Sequence, residues 1–345
     1  MQTGAAKRER AVVSATTPSP TTRPLDAPAP GIPDAAAIYA QAAHENFPVA
    51  SRFLPRPIRD DLMSIYGFAR LTDDIGDEVT GDRLDALAWL EAELGRAAAG
   101  SATHPVMRRL GTTIAARRLS LRHFRDLIEA NRRDQTVRRY QTFDALLEYC
   151  SFSANPVGRL VLEVLGAATA ERIALSDDVC SGLQIVEHLQ DVGEDFSQDR
   201  VYLPLTDLRE EGCAVPELGQ SNASAALRRV VATEGARARR MLWSGAPLAA
   251  SLEWRPRVAV AAFAAGGMAA LDDIERAGND VLGMRCRPRA RRVAARLLLV
   301  LLWHPAPGRS AAPTATTSAV SVSSTTSAAR DASPRRDAAF DGALR

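Results

Sequence analysis

The segment "YGFARLTDDIGDE", residues 66–78, decides the fold because it is both helical in pattern and unusually rich in acid. On an α-helix, residues four apart lie on one face, so Asp73 and Asp77 are one turn apart, with Arg70 and Tyr66 further back along that face. Two like charges at this spacing repel each other by about 0.2–0.5 kcal/mol. We therefore expect a compensating partner near this stripe.

Two interpretations of the stripe are open. Acidic pairs are common on solvated helix faces, and Asp74 and Glu78, which lie off the main face, are interpreted as ordinary solvent-facing acids. A second acidic pair elsewhere in the chain would instead indicate a cation held between two helices.

A second stripe occurs in "GLQIVEHLQDVGEDFSQDRVYLP", residues 182–204. Asp191 and Asp195 repeat the four-residue spacing, and Glu187 and Gln184 continue the same face toward the start of the helix. Such helices can face each other across a bundle and bind divalent cations between them.

Mg²⁺ is the expected ion, since it prefers hard oxygen ligands and shares substrate phosphate oxygens rather than being caged by protein. The implied ligand is a diphosphate, whose departure the metal would assist. Spacing alone leaves this interpretation and the solvated face about equally open. His188, one helical step from the stripe, is expected to point away from it.

Apolar residues at three- and four-residue spacing predict helices through the middle of the chain, including 57–76 and 173–195. The sequence therefore predicts an all-α domain, a helical bundle around a central cavity, over residues 36–304. Proline-, threonine- and serine-rich tails, residues 1–35 and 305–345, are predicted to be disordered.

Composition excludes some partners. The 43 basic and 41 acidic residues nearly balance, giving a net charge of +2, so nucleic acid binding is not favoured. Four widely spaced cysteines with no CxxC pair, and no signal peptide, predict reduced thiols in a cytoplasmic protein.

The stretch "RARRVAARLLLVLLW", residues 289–303, joins a basic half to an apolar half. It is too short for a transmembrane span, which needs about 20 residues. A terminal core helix and an interfacial membrane helix are both open, and a lipid-like substrate would favour the second, with peripheral contact at the inner face of the membrane.

Three long segments carry a resemblance to a known family. "ENFPVASRFLPRPIRDDLMSIYGFARLTDDIGDE", "YCSFSANPVGRLVL" and "LQIVEHLQDVGEDFSQDRVYLP" resemble, in this order, the squalene and phytoene synthases over about residues 37–285. Within that family, "SANPVGRLVL" and "VEHLQDV" are most similar to the bacterial hydroxysqualene synthases of hopanoid pathways.

The resemblance implies an isoprenoid synthase bundle that binds Mg²⁺ and a prenyl diphosphate. Many members have asparagine where this chain has Glu187, a departure that alters the charge of the metal site. The implied catalytic residues are Tyr66, Arg70, Asp73, Asp77, Asp191 and Asp195, and the implied metal ligands are Asp73, Asp77, Glu187, Asp191 and Asp195. The implied substrate contacts are Asn46, Phe47, Tyr149, Asn155, Gln184, Arg200 and Tyr202.

The activity implied is ionisation and rearrangement of presqualene diphosphate, followed by capture of water to give hydroxysqualene. A carbocation requires a largely apolar, aromatic-lined cavity. We expect part of that lining from Phe47, Tyr66, Phe68, Tyr149 and Phe152. The implied pathway neighbours are a presqualene diphosphate synthase and a flavin-dependent dehydrogenase.

Alternatives stay open at this point. The same stripes fit a presqualene diphosphate synthase, or a squalene or phytoene synthase that condenses two prenyl diphosphates. From other classes, they fit a non-catalytic membrane-surface assembly protein of the same fold, or a regulatory bundle that binds a cation without diphosphate.

Overall fold

The computed structural model describes residues 31–41, 54–283 and 290–302. Asn46, Phe47, Cys286 and most of the two predicted disordered tails lie outside the described residues. In the first described range, Ile32 packs against the core and the Pro33 carbonyl lies 3.2 Å from the ring of His104.

Helices make up almost all of the regular structure in these ranges. They are α1 Ala35–Gln41, α2 Arg56–Asp77, α3 Arg83–Ala98, α4 Pro105–Arg117, α5 Leu121–Thr136, α6 Phe143–Ser153, α7 Asn155–Val164, α8 Ala170–Gln190, α9 Val192–Ser197, α10 Leu205–Glu210, the 3₁₀ helix Val215–Gly219, α11 Ala225–Gly245, α12 Pro247–Ala250, α13 Trp254–Arg276 and α14 Ala290–Leu302.

The predicted all-α class is confirmed. The part of the chain that the structure describes contains no strand, only one isolated parallel bridge between Arg139 and Val201. No helix within those same ranges is both long and apolar enough to cross a membrane.

Local sequence explains where the site helices begin. In α2, Pro57 suits the first turn, and the buried residues Leu62, Ile65 and Phe68 follow at helical spacing. Thr169 caps α8 by accepting a hydrogen bond from the Arg172 backbone N–H at 3.3 Å.

The predicted single helix over 173–195 is wrong at one position. The chain leaves helical geometry at Asp191, which separates α8 from α9. The Asp195 backbone N–H still donates to the Asp191 carbonyl at 2.8 Å, so the four-residue spacing of the two acids survives the break.

Two apolar clusters hold the helices in place. One includes Phe68 and Phe124, whose rings meet edge to face with centroids 5.0 Å apart. The other includes Leu189, Leu227 and Met268 from α8, α11 and α13. Helix α2 belongs to the first cluster and α8 to the second, and the acidic residues of both helices line one cavity.

Candidate active site

A cavity of about 260 Å³ separates α2 from α8. A wider groove of about 640 Å³ beside residues 78–84 involves a single loop and Gln135, so it lacks the facing acidic helices. The lining of the smaller cavity consists of Asp73, Asp77, Leu127, Ala130, Asn131, Asp134, Tyr149, Ser153, Gln184, Glu187, His188, Asp191, Asp195, Arg200 and Tyr202.

The structure brings nine of the predicted site residues to this cavity. They are Asp73, Asp77, Tyr149, Gln184, Glu187, Asp191, Asp195, Arg200 and Tyr202. The five acids therefore meet across one space although more than 100 residues of chain separate the two stripes. This arrangement is unlike a solvated helix face, where the two stripes would have no reason to meet.

The first stripe is fixed by partners from two other elements. Asn131 of α5 donates a hydrogen bond from Nδ2 to Asp73 Oδ1 at 3.2 Å. Arg200, which follows α9, donates from Nη2 to Asp77 Oδ1 at 2.6 Å. Arg200 is buried, so it brings a positive charge into the acidic cavity in a medium where that charge is poorly screened.

Gly76 makes the contact between α2 and α5 possible. A Cβ at this position would lie 2.0 Å from Asn131 Oδ1, which no side chain tolerates. Gln135, one turn along α5, donates to the Gly76 carbonyl at 3.0 Å. The glycine thus allows Asn131 to reach the neighbouring Asp73.

The pKa values of two cavity carboxyl groups are raised above their usual range. The side chain of Asp73 is exposed to the cavity, where the surrounding protein weakens the hydration of its carboxylate and raises its pKa to about 7; the Asn131 hydrogen bond opposes the rise, and the charge of Asp77 adds to it. Loss of solvent and the charges of Glu187 and Asp195 raise the pKa of Asp191 to about 6. The cavity therefore favours a bound positive charge.

The floor of the cavity is a polar aromatic cluster, in which the sequence analysis identified Tyr149 and Tyr202 but missed Asp134. Asp134 of α5 accepts hydrogen bonds from the Tyr149 hydroxyl at 2.7 Å and from the Tyr202 hydroxyl at 3.0 Å. Burial and the nearby Asp134 carboxylate raise the pKa of both phenols, so each remains a protonated donor. Asp134 lies in no recognisable motif, so the sequence gives no signal that would identify it as a site residue.

The expectation that His188 points away from the site is wrong. Its ring is buried in the cavity wall and stacks on Tyr202, with centroids 3.8 Å apart and planes at 11°. Its Nδ1 lies 3.8 Å from Asp195 Oδ2, and Nε2 lies 3.3 Å from the Gln184 amide nitrogen. The side chain reaches the cavity because α8 packs with His188 against Tyr149 and Tyr202.

Two members of the first predicted stripe lie apart from the cavity lining. The Arg70 guanidinium lies 2.7 Å from Asp74 Oδ1 and 3.3 Å from Glu78 Oε1. The interpretation of Asp74 as a solvent-facing acid is wrong, since Asp74 is 1% exposed. Tyr66 is half-buried on α2 outside the cavity lining.

Asn155 is also placed away from the cavity. It is buried at the start of α7, and its Oδ1 accepts a hydrogen bond from the Ser181 hydroxyl at 2.9 Å. This contact joins α7 to α8, the helix that carries the start of the second stripe.

The prediction of a largely apolar lining does not describe this cavity, most of whose lining side chains are polar. Phe68 is fully buried in the apolar cluster of α2, and Phe152 lies under the Arg133 guanidinium at 3.9 Å. Tyr149 and Tyr202 are the aromatic side chains that the described residues place beside the acids. The cavity therefore suits a highly charged group better than a hydrocarbon chain.

Two curated relatives resemble the chain over most of their own length. The chain is 42% identical over 214 residues to a hydroxysqualene synthase of Rhodopseudomonas palustris, covering 61% of this chain and 72% of the relative. A hydroxysqualene synthase of Zymomonas mobilis is 36% identical over 214 residues, with the same coverage.

Solved structures also resemble the chain. The squalene synthase HpnC of Alicyclobacillus acidocaldarius superposes with a TM-score of 0.67 at 40% identity, covering 71% of this chain and 94% of that one. A dehydrosqualene synthase superposes with a TM-score of 0.71 at 22% identity, over 78% of this chain and 95% of that one, which supports the fold alone. A family model for squalene/phytoene synthase matches residues 40–296, most of the described domain, and the chain therefore belongs to the squalene/phytoene synthase family.

Proposed function

We propose that the chain is a hydroxysqualene synthase that converts presqualene diphosphate and water to hydroxysqualene and diphosphate. The observation that carries the proposal is the meeting of Asp73 and Asp77 with Glu187, Asp191 and Asp195 across one cavity. The assignment of hydroxysqualene as the product is supported by the similarity to two hydroxysqualene synthases over 72% of their length.

The proposed reaction balances without an oxidant or reductant. The carbon–oxygen bond to diphosphate breaks, and its electron pair leaves with the diphosphate oxygen. The carbocation rearranges, water adds through its oxygen, and one proton is lost to solvent. No hydride is consumed, so no nicotinamide cofactor is required.

The chain's own residues have distinct parts in this proposal. Arg200, held by Asp77, supplies a buried positive charge beside the leaving diphosphate. Asp134 holds the hydroxyl groups of Tyr149 and Tyr202, whose side chains line the cavity where the cation would form. Holding both hydroxyls keeps the phenol oxygens from attacking the cation in place of water.

The donor set fits Mg²⁺. Within the described residues, no three His, Cys, Asp or Glu side chains converge closely enough to hold one ion by themselves. Mg²⁺ commonly takes one or two carboxylates and completes its shell with water and substrate phosphate. Asp73, Asp77, Glu187, Asp191 and Asp195 are the proposed ligands, and the bound ion would act as a Lewis acid on the leaving diphosphate.

The decisive experiment supplies purified protein with Mg²⁺ and either presqualene diphosphate or farnesyl diphosphate, and identifies the extracted lipid. The proposal predicts hydroxysqualene from the first substrate and no turnover of the second. Asp73→Asn and Asp191→Asn should abolish turnover, whereas Asp60→Asn, an exposed acid on the same α2, should retain it. Normal activity of either cavity variant would contradict the role of the acids.

A second readout is independent of turnover. Mg²⁺ binding measured by calorimetry should strengthen when inorganic diphosphate is added, because the ion then shares ligands with the anion. Tight Mg²⁺ binding that is indifferent to diphosphate would favour the regulatory bundle instead.

A second candidate is condensation of two farnesyl diphosphates. It is favoured by the solved structure named as a squalene synthase at 40% identity. Presqualene diphosphate, squalene or phytoene formed from farnesyl diphosphate would select it. We also propose that a presqualene diphosphate synthase supplies the substrate and a flavin-dependent dehydrogenase consumes the product.

A further inference from the structure

The helix α14 packs Leu297, Val300 and Leu301 against the apolar core, carries paired arginines beside them, and leaves a further apolar side outward. Arg296 donates from Nε and Nη2 to Asp272 of α13 at 2.8 and 2.6 Å, and Arg292 pairs with Asp273. Asp272 also accepts from Arg239 at 3.0 Å, which ties the pair of helices to α11. The basic residues whose side chains the structure describes on α14 are therefore used in holding the helix to the domain.

The outward face of α14 is apolar along two turns. Its exposed residues Ala294, Ala295, Leu298, Leu299 and Leu302 repeat at four-residue spacing, so they share one side of the helix. Leu298 and Leu302 are 60% and 71% exposed. An ordinary surface helix shows the opposite arrangement, with polar residues outward.

Trp254 extends this surface. Arg257 donates from Nη2 to the Leu301 carbonyl at 2.5 Å, so the start of α13 lies beside the end of α14. Trp254 is 65% exposed at that end, and the Arg255 guanidinium lies over its ring at 4.9 Å. Trp254, Leu298, Leu299 and Leu302 are the four most exposed large apolar side chains of the described residues.

We propose that Trp254 and the outward face of α14, together termed the α14 face, dock on the surface of a bilayer that contains anionic lipid. The α14 face combines an aromatic residue with leucines, as interfacial helices do, and a 13-residue helix lies along a bilayer without crossing it. The sequence before the paired Arg292, "MRCRPRAR" at 284–291, carries four arginines and no acid. That charge complements anionic headgroups.

The choice of a bilayer also rests in part on the proposed function, because a 30-carbon isoprenoid substrate and its product partition into membrane. The chain's own C-terminal segment is a poorer occupant, since residues 304–345 are mostly alanine, serine, threonine, proline and arginine. Such a sequence offers few large side chains to cover four exposed ones.

The test uses the full chain and vesicles without any substrate. Co-sedimentation compares phosphatidylcholine vesicles with vesicles that also contain phosphatidylglycerol. We expect binding to the mixed vesicles that weakens as salt is added, and a loss of about tenfold or more in Leu298→Gln/Leu299→Gln. The matched control is Leu84→Gln, an exposed leucine on α3 that is 46% exposed and should leave binding unchanged.

Several results would overturn the proposal. One is absence of binding to the mixed vesicles, and another is equal binding by the parent and the double variant. A third is a parent that is a dimer by light scattering and a double variant that is a monomer, which would assign the α14 face to a second copy. Turnover of detergent-dispersed substrate is measured separately on the same proteins. Vesicle binding without hydroxysqualene formation would contradict the proposed function alone. Hydroxysqualene formation without vesicle binding would contradict only the proposal that the α14 face docks on a bilayer.

Discussion

Arg200 and Asp77 form an ion pair with Nη2 and Oδ1 2.6 Å apart, and this pair joins the segment after α9 to the end of α2. Burial alone would lower the pKa of Arg200, but the hydrogen bond and charge of Asp77 outweigh it and raise the pKa above its usual value. The guanidinium is therefore a permanent charge beside the first acidic stripe, and the Arg200 backbone N–H, which donates to the Asp195 carbonyl at 2.8 Å, links it to the second.

Replacing Arg200 tests this link. Arg200→Gln should lower kcat/KM for the diphosphate substrate by roughly 30-fold, since truncating the buried partner of a half-buried charge pair costs about 2 kcal/mol. Steady-state kinetics measures the effect. Arg229→Gln, which breaks an exposed pair with Glu211, is the control and should stay within about twofold. Equal losses in both variants would point to general destabilisation.

Gly76 offers a test of how Asp73 is positioned. In Gly76→Ala the new methyl group would displace Asn131 and thereby remove its hydrogen bond to Asp73. We expect about tenfold lower turnover and a loss of about 1–3 kcal/mol in the free energy of unfolding.

The matched control for Gly76→Ala is Gly95→Ala on α3. A Cβ at Gly95 meets nothing within 4 Å, so this helix should gain about 0.5–1 kcal/mol. Urea denaturation and turnover are measured on both variants. Full activity of Gly76→Ala would show that Asn131 has no part in placing the carboxylate.

Asp134 should control product partition as well as rate. Asp134→Asn keeps one acceptor oxygen for two phenols, so either Tyr149 or Tyr202 loses its partner. We expect a larger share of lipid products other than hydroxysqualene, read by mass spectrometry of the extracted lipids. Because these residues act together, Tyr149→Phe and Asp134→Asn should be non-additive in a double-mutant cycle. Strict additivity with an unchanged product ratio would leave Asp134 a structural residue.

Stability should depend on pH through Glu234 of α11. Burial raises the pKa of Glu234 to about 8, and the hydrogen bond that its protonated carboxyl donates to Asp207 adds to the rise although Arg237 opposes it. The folded protein thus holds a proton on Glu234 that the unfolded chain releases near pH 4.5. Stability from this group is present below about pH 4.5 and decreases as pH rises toward 8.

The measurement is urea denaturation at about pH 5.5, 7 and 8.5. Glu234→Gln, which resembles the protonated form, should flatten the decrease. The pKa of the neighbouring Asp207 is lowered, with hydrogen bonds from Glu234 and Arg237 outweighing burial, so its contribution is lost only as pH falls below about 4. A variant with the same pH dependence as the parent would contradict the assignment to Glu234.

Helical periodicity was sufficient to place Asp73 and Asp77 on one face and Asp191 and Asp195 on another, because residues four apart remain neighbours even across the break at Asp191. It could not identify Asn131 or Asp134, since these come from a third helix and carry no spacing signal. Periodicity also misplaced Arg70, whose long side chain bends to Asp74 instead of following the stripe. Side-chain direction and packing between helices decided these positions.

The isolated backbone bridge between Arg139 and Val201 has a consequence for folding kinetics. It brings Arg200 to the cavity by joining two loops that are distant in the chain, whereas the helices themselves form through local contacts. Contacts between distant residues generally form later than local ones. During refolding, far-ultraviolet circular dichroism should therefore recover before catalytic competence does.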